Sequence, residues 1–196
     1  MSVERVIETP QEGARRLSDQ WIRKGYIPEA LHCYKSLEDK EIYYRFRLKN
    51  AEGDKEMRPM HRNESGFFII GEPPGIKDKP KPLYGLQYVA LYKEGKVYIV
   101  EGEWNADHLN KFFEINDVLG KYFAITSGGC TSAQGADWTP LSERKCILWA
   151  DNDQSGTDYI DAVIQALSPL GCTIKCIDIE VLQLSEGGDV VDWLQL

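Results

Sequence analysis

The sequence predicts an α/β protein: a mostly parallel sheet flanked by helices, preceded by a smaller α+β lobe. Beyond about residue 96, short apolar runs alternate with helix-like segments, a pattern typical of βαβ units and parallel strands. Before that point, one well-capped helix is followed by strand-like runs and a proline-rich stretch. We therefore predict an N-terminal α+β lobe over 1–95 and a second domain over 96–196.

The first element is predicted to be a helix that begins at Pro10. Thr9 is a favourable N-cap, Pro10 suits the first helical position, and Glu12 completes a capping box three residues after the cap. The apolar residues that follow at helical spacing are Ala14, Leu17 and Trp21. Gly25 is a suitable stop for this helix.

The rest of the first lobe contains strand-like runs. Leu31–Ser36 and Ile42–Leu48, with a polar loop between them, predict a hairpin, and Phe67–Ile70 is a further strand candidate. Residues 49–64, between these runs, are polar and charged. Four prolines within 71–82 exclude regular structure there and indicate a loop or a lobe boundary.

The second domain shows the alternation most clearly, after a short element around Leu83–Leu91. The predicted strands are Val97–Val100, Tyr122–Thr126, Cys146–Ala150 and Thr173–Ile179. The predicted helices are Trp104–Ile115 and Gly156–Leu167. In the second helix the apolar residues recur at the i, i+3, i+4, i+7 spacing of one helix face.

Composition excludes several classes of protein. Hydrophobic residues make up 42% and charged residues 28%, which is typical of a soluble globular protein. No run approaches the ~18 apolar residues that span a bilayer, and no signal-peptide pattern is present, so we expect a cytoplasmic protein without a membrane partner. The five cysteines form no C-x-x-C pair, which argues against a zinc ribbon.

Charge is divided unevenly along the chain. Residues 1–96 carry a net charge of +3 and residues 97–196 a net charge of −11, which gives the total of −8. A basic front half beside a strongly acidic back half fits a surface for a phosphate backbone next to a metal site. An ordinary acidic domain with an ordinary neighbour would show the same asymmetry, so charge alone does not decide between them.

Acidic residues follow two of the predicted strands and recur near the end of the chain. They are Glu101 and Glu103, Asp151 and Asp153, and Asp189 and Asp192. The carboxyl ends of parallel strands line the crevice in which open α/β sheets bind ligands. Carboxylates gathered there repel one another unless a cation or protons neutralise them, and hard oxygen ligands suit Mg²⁺. The pattern predicts a site for metal-dependent phosphoryl transfer.

Four segments, in their order along the chain, resemble a known family. They are Val100-Glu101-Gly102-Glu103, Thr126-Ser127-Gly128-Gly129, Ala150–Gly156 and Asp189–Leu194. Together they resemble the Toprim domain of bacterial-type primases, topoisomerases and some nucleases, and most specifically the primase-type Toprim proteins of phages, plasmids and other mobile elements. The segments Tyr43–Arg47 and Met57–Met60 are similar to the part that precedes Toprim in those proteins.

The resemblance implies a Toprim-type sheet over roughly 96–194 and a set of site residues. Glu101, Asp151 and Asp153 are the implied catalytic residues, with Glu101 as general acid/base or metal ligand. The same three carboxylates and Asp189 are the implied ligands of Mg²⁺ or Mn²⁺. The candidate residues for binding nucleic acid or nucleotide are Arg45, Arg47, Arg58, Arg62, Gly128 and Gly129. Arg45 and Arg47, two apart on a strand candidate, are expected to share one face, which Arg58 and Arg62 would extend, with Tyr44 and Phe46 in the core. An ordinary solvated strand face is the open alternative.

Some positions depart from the family pattern or allow two interpretations. Asn105 stands where bacterial primases often have an acidic residue, with Asp107 two positions further on. Glu103 is either a site residue or a solvated acid in the first turn of a helix. Asp192 is either a ligand or the cap of a short terminal helix, and Asp153 can cap a helix while also binding a metal. The zinc module and the G-x-x-x-x-G-K-[ST] loop of larger primases do not occur.

The function that the resemblance implies is primase-type synthesis of primers by a metal-dependent nucleotidyltransferase. Its partners would be single-stranded DNA, nucleoside triphosphates and a replicative helicase, fused or recruited. Two alternatives stay open: a Toprim nuclease that cleaves phosphodiester bonds, and a non-catalytic module that binds nucleic acid. A topoisomerase is less favoured, because its tyrosine nucleophile normally lies in further domains.

Overall fold

The computed structural model describes residues 7–76 and 78–195. They form two compact units, here called the first and second unit. The first unit comprises the described residues up to 34 together with those of 41–79, and the second comprises 35–40 and the described residues from 80 onward. Each unit has a sheet of its own. The division into domains at 95/96 stays a prediction.

The first unit is a helix on an antiparallel sheet. Its elements are α1 (Pro10–Ile22), β1 (Ile27–Lys35), β2 (Glu41–Lys49), β3 (Lys55–Arg62) and β4 (Phe68–Ile70), and the strand order is β1-β2-β3-β4. The helix begins as predicted: the Glu12 N–H donates to Thr9 Oγ1 at 3.3 Å, and the Thr9 N–H donates to Glu12 Oε2 at 2.8 Å. The predicted capping box is confirmed.

Strand β3 was not expected, because its sequence KEMRPMHR is polar and contains a proline. It forms because both of its edges are paired. Arg58 of β3 lies opposite Phe46 of β2, and His61 of β3 lies opposite Ile69 of β4. The carbonyl of Pro59 accepts a hydrogen bond from Gly71 N–H at 2.8 Å. Tertiary pairing here overrides the weak strand propensity of the segment.

Helix α1 packs very closely against β4. The core between them and the sheet includes Tyr44, Phe46, Leu48, Met60 and Phe68. At the outer edge of β4, Glu8 Oε2 accepts from the Phe68 N–H at 2.7 Å, and Arg16 Nη2 donates to the Phe68 carbonyl at 2.7 Å. Glu8 and Arg16, which form an ion pair, thus occupy the N–H and the carbonyl of Phe68. Such groups on an exposed edge strand would otherwise be open to pairing with another chain.

The second unit has the predicted parallel sheet, in the order β6-β5-β7-β8. Its strands are β5 (Lys96–Val100), β6 (Tyr122–Ile125), β7 (Lys145–Trp149) and β8 (Thr173–Cys176). Its helices are α2 (Leu86–Leu91), α3 (Glu103–Ile115), α4 (Gln154–Leu167), α5 (Ile179–Leu182) and α6 (Val190–Leu194), with single 3₁₀ turns at Ala133–Gly135, Thr139–Leu141 and Ser168–Leu170. The predicted α/β class, with a parallel sheet flanked by helices and a smaller α+β part before it, is confirmed.

Both faces of the parallel sheet are covered. Helices α2 and α4 pack on one face, against a core that contains Val97 and Ile99 of β5. Helices α3 and α6 pack on the other face, against Val100 of β5 and Ala124 of β6. Because alternate residues of β5 face opposite sides, the strand is apolar on both, as its sequence predicted. Among the described residues, no helix is long and apolar enough to cross a membrane.

Replacement of Gly13 by alanine is expected to destabilise the protein. An alanine normally favours a helix over glycine by about 1 kcal/mol. A Cβ at this position, however, would lie 2.6 Å from Cδ2 and 2.8 Å from Cβ of Phe68. We expect Gly13→Ala to lower the free energy of unfolding by about 1–3 kcal/mol in urea titrations, as overpacking does. Gly135→Ala, where a Cβ meets nothing within 4 Å, is the control and should be close to neutral. Equal effects of the two changes would contradict the close packing.

Candidate active site

The acidic residues follow strands that are direct neighbours in the sheet. Strand β5 pairs with β7 in parallel, with Val100 opposite Trp149. Glu101 comes directly after Val100, and Asp151 comes two residues after Trp149. Both side chains therefore belong to the carboxyl-terminal edge of the sheet, where α/β proteins form their binding crevices.

The loop after β6 is joined to the loop after β5 at this edge. The Gly102 N–H donates to the Gly128 carbonyl at 2.9 Å and to Thr126 Oγ1 at 3.2 Å. The Gly128 N–H also donates to Thr126 Oγ1, at 3.0 Å. Gly102 and Gly128 have φ angles of 80° and 113°, which strongly favour glycine. The structure thus brings the predicted glycine loop beside Glu101.

Tyr159, which the sequence did not single out, lies beneath these loops. Its side chain is fully buried in α4, and its hydroxyl lies 3.0 Å from Ser127 Oγ and 3.3 Å from Thr126 Oγ1. The hydroxyl is also 3.3 Å from the carbonyl oxygen of Val100. One phenol therefore connects the ends of β5 and β6. The sequence signal for this role was the position of Tyr159 directly before Ile160, on the apolar face of the predicted helix. This position predicts a buried tyrosine, and a buried tyrosine hydroxyl usually has polar partners.

The surroundings of Glu101 raise its pKa and leave one of its oxygens without a hydrogen-bond partner. Its Oε2 atom is buried and has no hydrogen-bond partner. Burial raises the pKa of Glu101, the nearby Asp153 carboxylate raises it further, and a backbone hydrogen bond from Cys130 opposes both effects. An oxygen that is buried without a donor is costly in a folded protein. It is also well placed to accept a proton or to bind a cation.

Asp151 is held by an amide. Asn105, buried in α3, donates from Nδ2 to Asp151 Oδ1 at 3.3 Å. Asn105 had been noted only as a departure from the family pattern. The structure places it in the candidate site, where its amide supplies a donor to a carboxylate rather than a further negative charge.

Asp153 caps helix α4. Its Oδ1 accepts from the Gly156 N–H at 2.7 Å, so the predicted capping role is confirmed. Gly156 itself lies against the backbone of Asp151, and a Cβ there would come within 2.7 Å of the Asp151 nitrogen. Glycine at this position lets the start of α4 approach the Asp151–Asp153 turn closely.

Asp189 and Asp192 form a capping box at the start of α6. Asp189 Oδ1 accepts from the Val191 N–H at 2.7 Å and from the Asp192 N–H at 3.1 Å. Asp192 Oδ2 accepts in return from the Asp189 N–H at 3.0 Å. The capping interpretation of Asp192 is therefore confirmed. Roles of Asp189 and Asp192 as metal ligands stay predictions.

Glu103 and Asp107 lie on α3 close to this edge. Glu103 is only 2% exposed, so its interpretation as a solvated acid is wrong: it begins α3 on the side that packs inward. Asp107 Oδ1 accepts from the Tyr84 hydroxyl at 2.6 Å. Burial, followed by the Asp107 carboxylate, raises the pKa of Tyr84. Tyr84 is therefore a neutral hydrogen-bond donor at physiological pH.

The predicted ligands are only partly assembled. Within residues 7–76 and 78–195, no three or more His, Cys, Asp or Glu side chains are grouped closely enough to hold a metal ion. Each aspartate takes a donor from the protein: Asp151 from Asn105, Asp153 from α4 and Asp189 from α6. Glu101 and Asp153 lie close enough to influence each other. This pair, with its unpartnered oxygen, fits Mg²⁺, which proteins often bind through one or two carboxylates.

The four predicted arginines do not share one face. Arg45 lies opposite Pro59, which puts it on one face of the antiparallel sheet. Arg58 lies opposite Phe46 and therefore shares the other face, which packs on α1. The expectation of a single face is wrong. Arg58 directly precedes Pro59 in β3, and successive side chains of a strand point to opposite faces of the sheet.

The surroundings of the arginines follow from this alternation. The guanidinium carbon of Arg58 lies 5.4 Å from the centre of the Trp21 ring on α1. That of Arg62 lies 4.4 Å from the Phe68 ring, and Arg62 Nη1 donates to the carbonyl of Glu8 at 2.8 Å. Arg47 forms an ion pair with Glu29 at 2.7 Å. Tyr44 and Phe46 are buried, as predicted.

The arrangement of an antiparallel sheet with one helix, followed by a parallel sheet flanked by helices, is similar to the fold of solved primase structures. The primase fragment of the bacteriophage T7 primase-helicase protein is similar over 97% of this chain, with a TM-score of 0.50 and 16% identity. The chain spans 66% of the length of that fragment.

A second structure is that of the bacteriophage T7 lagging-strand DNA polymerase interacting with primase domains bound to an RNA/DNA hybrid and dTTP. It is similar over 93% of this chain and 88% of its own, with a TM-score of 0.51 and 16% identity. No family model and no curated protein matches the sequence. The likeness therefore establishes the fold.

Replacement of Glu101 by glutamine is expected to stabilise the metal-free protein at high pH. The pKa of Glu101 is raised in the folded state. The folded protein therefore binds the proton of this carboxyl group more tightly than the unfolded chain does. Stability is therefore lost as the pH rises through the folded pKa, when a desolvated charge forms beside Asp153. In EDTA, Glu101→Gln should raise the melting temperature at about pH 8 and make no difference near pH 4.

Glu114→Gln is the matched control for the loss of one negative charge, because Glu114 is exposed at the end of α3. It should not reproduce the pH-dependent gain. A lower melting temperature of Glu101→Gln at about pH 8 would show that the carboxylate is stabilised rather than strained in the fold.

Proposed function

We propose that this protein is a metal-dependent nucleotidyltransferase of the primase type, with a Toprim site over 96–194, that synthesises oligonucleotide primers on single-stranded DNA. The observation that carries the proposal is the unpartnered, buried Oε2 of Glu101 beside Asp153, at the strand ends of a primase-like fold. Carboxyl groups with perturbed pKa values cluster at functional sites.

Primer synthesis requires attack by a 3′-hydroxyl on the α-phosphorus of a nucleoside triphosphate. A phosphorus–oxygen bond to the primer forms, the bond to pyrophosphate breaks, and the hydroxyl proton must be accepted by a base. Mg²⁺ or Mn²⁺, held by Glu101, Asp151, Asp153 and Asp189, would favour ionisation of the 3′-hydroxyl and stabilise charge on the leaving oxygens.

The protein's own groups have distinct tasks in this proposal. Glu101 is either a ligand of the ion or, with its raised pKa and the free lone pair on Oε2, the base that accepts the proton of the 3′-hydroxyl. Asn105 holds the Asp151 carboxylate in a fixed orientation. Gly128 and Gly129 allow the backbone to approach the triphosphate, and a Cβ at Gly129 would meet nothing within 4 Å, which indicates open space beside it.

The partial assembly of the carboxylates agrees with the chemistry of magnesium. Mg²⁺ requires six oxygens in an octahedron, but it commonly takes only one or two from carboxylates and the others from water and phosphates. Glu101 and Asp153 can provide such a minimal pair. The nucleotide would then supply ligands itself, which couples binding of the ion to binding of the substrate.

The first unit is the proposed contact for the template. Arg45 lies on the face of the sheet that carries Pro59, opposite the face covered by α1. Guanidinium groups bind phosphate oxygens in a sequence-independent way. A helicase, fused or recruited, is a further proposed partner, since one similar structure is a fragment of a primase-helicase protein.

A product assay tests the proposed reaction. The protein is incubated with single-stranded DNA, labelled nucleotides and Mg²⁺ or Mn²⁺, and we expect extended oligonucleotides. Asp151→Asn should lower the yield by at least about 100-fold, as loss of a group at the metal does. Asp161→Asn makes the same chemical change on the exposed side of α4 and should leave the yield unchanged. Full activity of Asp151→Asn would exclude the proposed site.

The same assay separates the alternatives. Shortened template that depends on Asp151 would identify a nuclease that uses the same carboxylates. Template that is bound and stays intact, with no labelled product formed in either metal ion, would identify a non-catalytic module. Neither result would be compatible with primer synthesis.

The salt dependence of DNA binding tests the arginine face. Arg45→Ala should reduce the slope of log K against log salt concentration by about 1, because one phosphate contact is lost. Arg58→Ala is the comparison on the opposite face: its guanidinium covers Trp21, so the slope should stay the same while stability falls. Fluorescence anisotropy with a labelled oligonucleotide gives both slopes. A change with Arg58→Ala alone would place the DNA on the other face.

A further inference from the structure

We infer that Asn152, the residue between the two aspartates of the Asp151–Asp153 turn, is a positioning residue that sets the place of Asp189 in the metal site. The inference rests on the proposed metal-dependent function. The side chain of Asn152 contacts the neighbouring segment 184–188. Asn152 would therefore affect the ion through Asp189 and not by direct contact.

Asn152 forms four hydrogen bonds with the segment 184–188. Its Nδ2 donates to the carbonyls of Leu184 at 2.9 Å and Ser185 at 3.0 Å. Its backbone N–H donates to the Gly188 carbonyl at 2.8 Å, and its carbonyl accepts from the Gly187 N–H at 2.9 Å. Side chain and backbone of one residue thus hold both ends of this segment.

The segment needs such support because it is a tight turn between two very short helices. Gly187 has a φ angle of 74°, and the Gly188 N–H donates to the Ser185 carbonyl at 2.9 Å. A Cβ at Gly188 would lie 2.9 Å from that carbonyl oxygen. Helices of four and five residues have little stability of their own, so the turn depends on external hydrogen bonds.

Asp189 follows directly after this turn. On its other side, α6 is fixed by Val190, which is fully buried in the core with Val100 and Trp149. The backbone of Asp189 is therefore determined by two attachments, the core of α6 and the hydrogen bonds of Asn152. Because Asn152 is bonded covalently to Asp151 and Asp153, its hydrogen bonds attach the segment before Asp189 to the Asp151–Asp153 turn.

An asparagine suits this task better than other residues of its size. The amide NH₂ carries two donors, and Asn152 uses both on two carbonyls. An aspartate would direct a carboxylate at the same carbonyls, and a serine would provide one donor. Asn152 thus separates two acidic ligands with a neutral group that takes no part in binding the ion.

A double-mutant cycle on Mn²⁺ binding tests the inference. The dissociation constant of Mn²⁺ is measured by electron paramagnetic resonance of the free ion, in the absence of nucleotide and DNA. We expect Asn152→Ala to weaken binding about 10-fold, as loss of a supporting hydrogen bond does, and Asp189→Asn to weaken it at least as much. The double variant should equal Asp189→Asn, because Asn152 acts through that residue.

Asn116→Ala is the matched control. Asn116 Nδ2 donates to the Phe112 carbonyl at 2.8 Å at the end of α3, so the same kind of bond is lost outside the proposed site. It should leave the Mn²⁺ affinity unchanged. If Asn152→Ala does not fold, Asn152→Ser replaces it in the cycle. Faster hydrogen exchange of the Gly187 and Gly188 amides in the Asn152 variant is expected even without metal.

The outcomes are distinct. If the double variant loses Mn²⁺ affinity by the product of the two single losses, Asn152 does not act through Asp189. This result would overturn the inference, while the proposed metal site would stand. Unchanged affinity of Asn152→Ala would overturn it as well. Failure of the unaltered protein to bind Mn²⁺ would overturn the metal site itself and, with it, this inference.

Discussion

The crowding of carboxylates at one edge of a parallel sheet is the constraint on which the second unit depends. The pairing of β5 with β7 brings Glu101 and the Asp151–Asp153 turn to the same edge, and like charges at short distance are unfavourable. The surrounding structure compensates with donors: the amide of Asn105, the first turn of α4 and the first turn of α6. Glu101, by contrast, keeps a buried oxygen without a donor, and its burial, followed by the nearby Asp153 carboxylate, raises its pKa.

These compensations require close approach of backbone segments, which explains the residues around the carboxylates. Gly156 allows α4 to begin against Asp151, and Gly128 allows its loop to accept from Gly102. Tyr159 then joins the ends of β5 and β6 through one buried hydroxyl. The loops at the crevice are consequently held by hydrogen bonds to defined atoms, and such rigidity is what a site for phosphoryl transfer needs in order to fix reacting groups.

Most of the fold could be predicted from local patterns, because they coincide with the tertiary structure. The capping box at Thr9, the apolar strands β5 to β7 and the helical spacing in α4 are examples. Strand β3 and the face of Arg58 could not, since both depend on which strands pair and in what register. The acidic residues of the site were visible in sequence, whereas Asn105, Asn152 and Tyr159 were not, because an amide or phenol acquires its role only from atoms distant in the chain.

The donor arrangement also bears on how the site would respond to substrate. Burial, followed by the Asp153 carboxylate, raises the pKa of Glu101, and a cation bound to both carboxylates would offset these effects, so metal binding and loss of the Glu101 proton would favour each other. Asp153 and Asp189 each use one oxygen to cap a helix N-terminus, which leaves the second oxygen of each carboxylate outside the cap. Each cap satisfies N–H groups at the start of its helix, so both aspartate side chains are held by the helices that they cap. The helices thus fix both aspartates, and Glu101 is the carboxyl group through which cation binding and proton release would be coupled.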